Sequence, residues 1–234
     1  MMSKKVVVLS GAGISAESGI KTFRDHDGLW ENYRIEDVAT YDAWLKNPEL
    51  VLDFYNKRRM QLAEVEPNAA HYALVRLEEK YQVQIITQNV DDLHERAGSA
   101  NVLHLHGELT KARSSDLSGQ VFDIGYGKLK MGDLCNNGSQ LRPHIVWFGE
   151  EVPLIEDAAV MTSEADILLV IGTSLLVYPA AGLLHYAPAH CRIFLIDPGN
   201  LNVQGIRNLT FIQKMAGKGV PEIVSQLLAE LEIN

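Results

Sequence analysis

Val6-Val7-Val8-Leu9-Ser10, followed at once by Gly11-Ala12-Gly13-Ile14-Ser15-Ala16, decides the fold of this chain. A short apolar run ending in Gly-x-Gly-x-x-Ala reads as a buried strand entering a tight turn. Such a turn lets main chain approach a pyrophosphate. Alone it says only that a dinucleotide is bound. The continuation says more: Glu17-Ser18-Gly19-Ile20-Lys21-Thr22-Phe23-Arg24, then Asp27-Gly28-Leu29-Trp30. An ordinary dinucleotide fold runs here into a long amphipathic helix. Gly19 interrupts instead, and polar, aromatic and basic residues follow. That pattern is expected of a loop folded over an enclosed ligand.

Strand-like apolar runs recur at residues 5–9, 83–87, 102–105, 166–171 and 192–196, several ending in Gly, Asn, Asp or Thr. Buried parallel strands read this way, with ligand groups at their C-terminal ends. Helical periodicity fills residues 69–80 and 220–231, the second opening with Pro221 near its first turn. The expectation is an α/β fold, a Rossmann-like doubly wound parallel sheet. Two segments break the alternation. Residues 31–66 are helical and rich in Tyr, Trp and charge. Residues 107–150 are loop-like, with Gly119, Gly125, Gly127, Gly132 and Gly138. Both read as insertions forming a smaller lobe. The large lobe then takes residues 1–30, 67–106 and 151–234 of a single catalytic domain, with the site in the cleft between lobes.

Composition narrows the function. The chain has 234 residues, 47% of them hydrophobic, and a formal net charge of −9. A sizeable core is possible, and no Lys/Arg run offers a footprint for nucleic acid or an anionic membrane. The longest apolar stretch, Ile167–Ile171, is far short of the ~20 residues of a membrane span. No signal-peptide pattern is present. Two cysteines, Cys135 and Cys191, give no disulfide framework. These readings fit a reducing cytoplasm, and a monomer is expected.

Six further constellations carry chemistry. Asn89 and Asp91 follow the strand at 83–87 and sit one residue apart, where an amide and a carboxylate can hold a carboxamide and a ribose or water. An Asn/Asp turn with a helix cap explains them as well. His104 and His106 share one face of a strand. No further metal ligands are evident near them, and His106, at the strand end, is the better general base, with an ordinary pKa of ~6.5. A buried, backbone-satisfied histidine is the alternative. Tyr55 and Arg58 are helical neighbours, and a phenol beside a bidentate guanidinium receives a carboxylate well. A solvated basic face is the plainer reading. Residues 142–150, RPHIVWFGE, combine an extended entry with an exposed-looking aromatic pair, suited to an edge strand that accepts a peptide. Gly172-Thr173-Ser174 and Asp197-Pro198-Gly199 are turns that could also meet phosphate or ribose.

Together these motifs resemble those of the sirtuins, the NAD-dependent protein lysine deacylases. The matching stretches are GAGISAESGIKTFRDHDGLW (11–30), TQNVDDLHERAG (87–98), HLHGEL (104–109), RPHIVWFGE (142–150) and GTSLLVYPAAGL (172–183), in family order. The Tyr55-x-x-Arg58 pair and the Val-Trp-Phe-Gly-Glu strand resemble the class III branch, which removes succinyl, malonyl or glutaryl groups and usually retains some deacetylation. The resemblance implies that His106 and Asn89 are catalytic. It implies that NAD, consumed as co-substrate, is bound by Gly11, Ala12, Gly13, Glu17, Thr22, Phe23, Arg24, Trp30, Gln88, Asn89, Asp91, Gly172, Thr173, Ser174, Asp197 and Ala216. It assigns the acyl-lysine protein or peptide substrate to Tyr55, Arg58, Val146, Trp147, Phe148 and Gly149. The acyl oxygen attacks the ribose carbon as nicotinamide leaves, His106 acts as base on a ribose hydroxyl, and the products are free lysine, nicotinamide and O-acyl-ADP-ribose.

One departure stands out. Sirtuins usually hold a structural zinc with two cysteine pairs between the His-Gly-Glu and Arg-Pro-His motifs. Here Arg113-Ser114-Ser115-Asp116 and Cys135-Asn136-Asn137 occupy those places. One thiolate cannot make a four-cysteine site, so no zinc is expected, and the small lobe should hold together by packing and turns. Asp197-Pro198 also departs from the Asn-rich segment usual on the adenosine side. The competing functions are a sirtuin-like NAD hydrolase, an ADP-ribose-binding module, and an NAD-linked oxidoreductase, which the first turn alone would support.

Overall fold

A computed structural model describes residues 4–21, 29–30, 33–116, 118–173, 175, 177–201 and 205–232, with main chain only at residues 29, 30 and 232. In chain order come β1 (Lys5–Ser10), α1 (Gly13–Ala16), β2 (Leu29–Trp30), β3 (Tyr33–Arg34), α2 (Ile35–Val38), α3 (Tyr41–Lys46) and α4 (Pro48–Glu64). Next are α5 (Ala69–Leu77), β4 (Gln82–Thr87), α6 (Leu93–Ala97), β5 (Val102–His104), β6 (Gly107–Ser114), β7 (Val121–Asp123) and β8 (Leu141–Ile145). The chain ends with α7 (Ile155–Ser163), β9 (Ile167–Ile171), a 3-10 helix (Ala180–Tyr186), β10 (Arg192–Ile196), β11 (Leu209–Ile212) and α8 (Ala216–Glu232). Local chemistry sets the helix starts. Asn47 accepts from Leu50 N at 3.1 Å and Pro48 follows it, where a missing N–H costs nothing. Asn68 and His71 cap α5 reciprocally, Asn68 Oδ1 accepting from Ala70 N and His71 Nδ1 from Asn68 N.

Six strands form one parallel sheet in the order β11-β10-β9-β1-β4-β5. The chain leaves central β1 to build β4 and β5 on one side, then returns to lay β9 and β10 on the other. Strand order therefore reverses between β1 and β9, the point where doubly wound sheets open a crevice beyond their C-terminal ends. Ser10 lies level with both Thr87 and Ile171, so the turns after β1, β4 and β9 meet there. Alternate residues of each strand feed opposite faces. Val6, Val8, Ile85 and Leu169 pack with α5 and α8, whereas Val7, Leu9, Ile86 and Val170 pack towards α7 and the 3-10 helix. A third core gathers Trp44, Phe54, Tyr55 and Leu62 with Leu109, Ala112 and Trp147.

The sheet and its strand positions agree with the sequence reading, and α1 is a single turn, as the interruption at Gly19 implies. Three expectations need correction. Residues 107–150 are not loop-like: β6, β7 and β8 form an antiparallel sheet in the order β7-β6-β8. Gly119, Gly125, Gly132 and Gly138 take positive φ in the connections between these strands, so the glycine density that suggested loop marks turns instead. β11 has no counterpart among the expected strands. Finally, α8 begins at Ala216 rather than at residue 220, which puts Pro221 inside the helix. Among the described residues, no helix is long and apolar enough to cross a membrane.

Candidate active site

A cavity of about 710 Å3 opens beyond the C-terminal ends of β1, β4 and β9, a volume ordinary for a small-molecule site. One wall is main chain. Gly11 N donates to Ile171 O at 2.9 Å and Gly13 N to Gly172 O at 2.8 Å. A Cβ on Gly13 would stand 2.6 Å from Gly172 Cα, and one on Gly172, whose φ is +60°, would stand 2.4 Å from Ile14 N. Only glycine fits either place. Ala12, Gln88, Thr173 and Asp197 join this wall. Gln88 Nε2 donates to Thr173 Oγ1 at 3.2 Å, tying the β4 and β9 turns together. Asp197 is buried and its Oδ1 accepts from Gly199 N at 2.8 Å, so it makes an Asx turn as well as lining the cavity.

Asn89 and Asp91 project from the turn after β4 and are buried. Asn89 Nδ2 donates to Gly11 O at 3.2 Å and to Ser15 Oγ at 3.1 Å. Its Oδ1 makes no hydrogen bond among the described residues and remains an acceptor for a ligand amide or hydroxyl. Asp91 Oδ2 accepts from Ser15 Oγ at 3.0 Å and Oδ1 from Leu93 N at 3.2 Å. Burial raises its pKa, against the Ser15 and Leu93 hydrogen bonds. Asp91 thus lines the cavity and also closes a turn onto Leu93 N at the start of α6.

The two histidines separate. His104 is buried, with Nδ1 3.0 Å from Asn89 O and Nε2 2.8 Å from Glu95 Oε1. Burial opposes its charge, but the Glu95 carboxylate, Glu108 and the Asn89 carbonyl together raise the pKa. Its role is structural. His106 lines the cavity, and its Nδ1 lies 2.9 Å from Gln88 O. A carbonyl can only accept, so Nδ1 carries the proton and Nε2 keeps a lone pair. Burial lowers the His106 pKa, the Gln88 bond opposing, which keeps the ring neutral at neutral pH. Gly107, at φ +81°, permits β6 to start here: a Cβ would lie 2.0 Å from His144 O.

The far wall is built from side chains. Tyr55 and Arg58, both buried on α4, line the cavity together, so the basic face is not solvated. Burial pushes the Tyr55 phenol well above its usual pKa, with Trp147 and Arg58 opposing. Val146, Trp147, Phe148 and Gly149 also line it. The aromatic pair is not uniformly exposed as expected. Phe148 is 47% exposed, but Trp147 is 2% exposed and turns inward, because successive residues of an extended segment point to opposite faces.

Several expected residues fall elsewhere. Glu17 is exposed, does not line the cavity and accepts from Gly217 N at 2.6 Å, holding the start of α8. Ala216 lies in the core, and its neighbour Met215 lines the cavity instead. Thr22, Phe23, Arg24 and Ser174, and the side chain of Trp30, lie outside the described residues. Sequence reasoning missed Ser15, which receives Asn89 and donates to Asp91, and Glu150, which accepts from Trp147 N at 2.8 Å and from Arg142 Nη1 at 2.8 Å. Both stand within quoted motifs, but only contacts distant in sequence reveal their work.

A zinc does not fit the place where cysteine pairs would be expected. Cys135 Sγ lies 2.6 Å from Asn137 Oδ1 and 3.3 Å from Ser114 Oγ. Asp116 accepts from Ser114 Oγ at 2.7 Å and Ser139 Oγ at 2.9 Å. The side chains that stand there satisfy one another, and no cluster of metal-ligating residues occurs among the described residues. The main-chain wall, by contrast, fits NAD. Its glycines leave main chain bare where any Cβ would intrude, and an unengaged Asn89 Oδ1 lies at the end of β4.

Comparison with known proteins places this geometry. The family model described as Sir2 family matches residues 11–179. An NAD-dependent protein deacylase of Helicobacter pylori (strain ATCC 700392 / 26695) is 54% identical over 225 residues, covering 96% of this chain and 98% of that one. One from Bacteroides thetaiotaomicron is 50% identical over 235 residues, covering 96% and 98%. The crystal structure of a Sir2 homolog–NAD complex is 41% identical, covers 98% of this chain and 91% of that chain, and superposes with a TM-score of 0.85.

Proposed function

The chain belongs to the Sir2 family, and we propose that within it the chain is an NAD-dependent protein lysine deacylase built for acidic acyl groups, succinyl and malonyl, with acetyl also turned over. One observation supports the acidic preference above the rest: Tyr55 and Arg58 are buried and line the same cavity as His106 and the glycine turns. A guanidinium that lines the cavity beside a phenol presents planar paired donors, which match the two oxygens of a carboxylate. An acetyl group brings no carboxylate.

The division of labour follows from the walls. Gly11, Ala12, Gly13, Gly172, Thr173 and Asp197 would hold the ADP-ribose part of NAD, and Gln88, Asn89 and Asp91 its nicotinamide-ribose part. NAD supplies a ribose carbon that accepts the acyl oxygen as nicotinamide leaves. Asn89 offers its unengaged Oδ1 and is fixed by Gly11 and Ser15, so the acceptor is aimed before any ligand arrives. Asp91 is held by Ser15 and Leu93. His106 takes a proton at Nε2 from a hydroxyl, and the Gln88 carbonyl steadies the resulting imidazolium at Nδ1. Val146 to Gly149 follow edge strand β8 and would guide the peptide. In this reading the cleft divides a large lobe of residues 1–30, 67–106 and 151–234 from a small lobe of residues 31–66 and 107–150.

Mass spectrometry with NAD and matched acetyl- and succinyl-lysine peptides tests the reading. Faster succinyl turnover with O-succinyl-ADP-ribose as product is expected. Acetyl-only turnover would leave a deacylase and discard the acidic pocket. Nicotinamide release without peptide turnover would favour an NAD hydrolase.

A further inference from the structure

We infer that Trp147 is a specificity-determining residue that acts through Tyr55, its indole N–H fixing the phenol oxygen so that the hydroxyl proton is left to donate to an acyl carboxylate beside Arg58. The inference rests on the acidic-acyl reading above and goes beyond it, because Trp147 contributes no charge and would otherwise be read only as part of the peptide strand.

Trp147 Nε1 lies 3.0 Å from Tyr55 Oη, across 92 residues of sequence. Indole N–H can only donate, so the phenol oxygen must be the acceptor. A hydroxyl that accepts one bond still has its own hydrogen to place. Among the described residues Tyr55 Oη donates to nothing, although the side chain is 1% exposed and lines the cavity. The proton is thus held in reserve for a ligand acceptor, next to the Arg58 guanidinium. A free phenol would swing that proton among orientations; the indole removes the choice.

Trp147 is itself clamped. Its main-chain N donates to Glu150 Oε2 at 2.8 Å. The same carboxylate takes Arg142 in a two-pronged pair, Nη1 to Oε1 at 2.8 Å and Nη2 to Oε2 at 2.9 Å. Arg142 in turn lays its guanidinium 3.5 Å from the centre of the Trp147 ring. The indole is held from its main chain and from one face, leaving its N–H aimed at Tyr55. The phenol proton placed in this way serves an anionic acceptor, so the arrangement should matter more for a carboxylate-bearing group than for acetyl.

Trp147→Phe tests this, since phenylalanine keeps an aromatic face for Arg142 while removing the N–H together with one of the two rings. Its KM for a succinyl-lysine peptide should rise about tenfold, a clearly larger loss than any on the matched acetyl peptide, so the succinyl-to-acetyl ratio falls. Combined with Tyr55→Phe, it should add no further loss of succinyl turnover. An unchanged succinyl-to-acetyl ratio, equal losses on both peptides, or additivity with Tyr55→Phe would each overturn the inference. If wild type prefers succinyl and Arg58→Met loses that preference while Trp147→Phe keeps it, only this inference falls. If wild type shows no succinyl preference, the acidic-acyl reading falls and carries this one with it. Should Trp147→Phe melt well below wild type, 15N-indole spectra decide. The Trp147 N–H signal must shift on binding succinyl but not acetyl peptide, and must lose that response in Tyr55→Phe. A signal indifferent to the acyl group overturns the inference.

Discussion

At one end of the cavity the wall is main chain, and at the other it is side chain. Gly11, Gly13 and Gly172 interlock through hydrogen bonds of 2.8–2.9 Å made by peptide groups. Tyr55, Trp147, Arg142 and Glu150 instead reach one another largely through side chains from α4, β8 and the segment after it. The first construction tolerates no added atom and is indifferent to what the acyl group is. The second can change its chemistry without moving the backbone. Damage to the main-chain end should therefore strike every substrate alike, whereas damage to the side-chain end should sort substrates by charge.

The largest effect is expected where the two ends meet. His106→Ala removes the base from Nε2 and should cut deacylation of succinyl and acetyl peptides alike by about a thousandfold, with the melting curve unchanged. Retained turnover would remove His106 from the chemistry. In wild type, burial lowers the His106 pKa, so the active neutral ring persists as pH falls below the usual ~6.5 of histidine. The acid limb of kcat/KM should lie below that value, and a limb above it would contradict the burial argument.

Gly172→Ala comes next and breaks the main-chain end. The residue sits at φ +60° with Ile14 N 2.4 Å from the added Cβ. Left-handed backbone alone costs an alanine about 1–2 kcal/mol, and the clash with main chain adds to it. Urea unfolding should show a loss of about 3 kcal/mol, and both peptides should lose turnover in the same proportion. Arg58→Met then breaks the side-chain end. It should lower desuccinylation by about 10- to 100-fold, the worth of a charged hydrogen bond, while deacetylation stays within about twofold. Equal losses would erase the distinction between the two ends.

The same distinction explains what was legible beforehand. Main-chain interlocks need glycine at fixed spacing after a strand, so residues 11–13 and 172 announced themselves. The side-chain end is written in partners far apart along the chain. Arg59 shows the difficulty: it looks like one more basic residue on α4, yet it is 1% exposed, with Nε 2.6 Å from Leu109 O and Nη1 2.7 Å from Asn56 Oδ1. Trp147 and Phe148 form one aromatic pair in sequence, and which of them turns inward depends on strand register. The β6–β8 sheet was hidden because its connections carry the glycines and its strands carry charged residues such as Glu108, Lys111, Arg113 and Arg142.

The smallest expected effect lies behind the main-chain end, at His104. Both of its partners, Asn89 O and the Glu95 carboxylate, are acceptors. Only the imidazolium can donate to both, consistent with a pKa raised by Glu95 against the opposing effect of burial. A histidine whose folded pKa is raised gives its full stabilisation below its unfolded pKa of ~6.5 and loses it as pH rises through the folded value. Glu95 carries the opposite sign: its pKa is lowered, the His104 hydrogen bond and charge outweighing burial, so its share is lost as pH falls through that lowered value. The pair is therefore worth most between the ordinary carboxylate and histidine ranges. The Glu95 side chain is 40% exposed, so after allowing for solvent screening the pair contributes about 0.5–1 kcal/mol. Glu95→Gln should cost that much in urea unfolding at pH 5.5 and less at pH 8.5, where a glutamine amide can still donate to neutral His104. An equal cost at both pH values would mean that His104 is neutral throughout and that Asn89 is held by packing instead of charge.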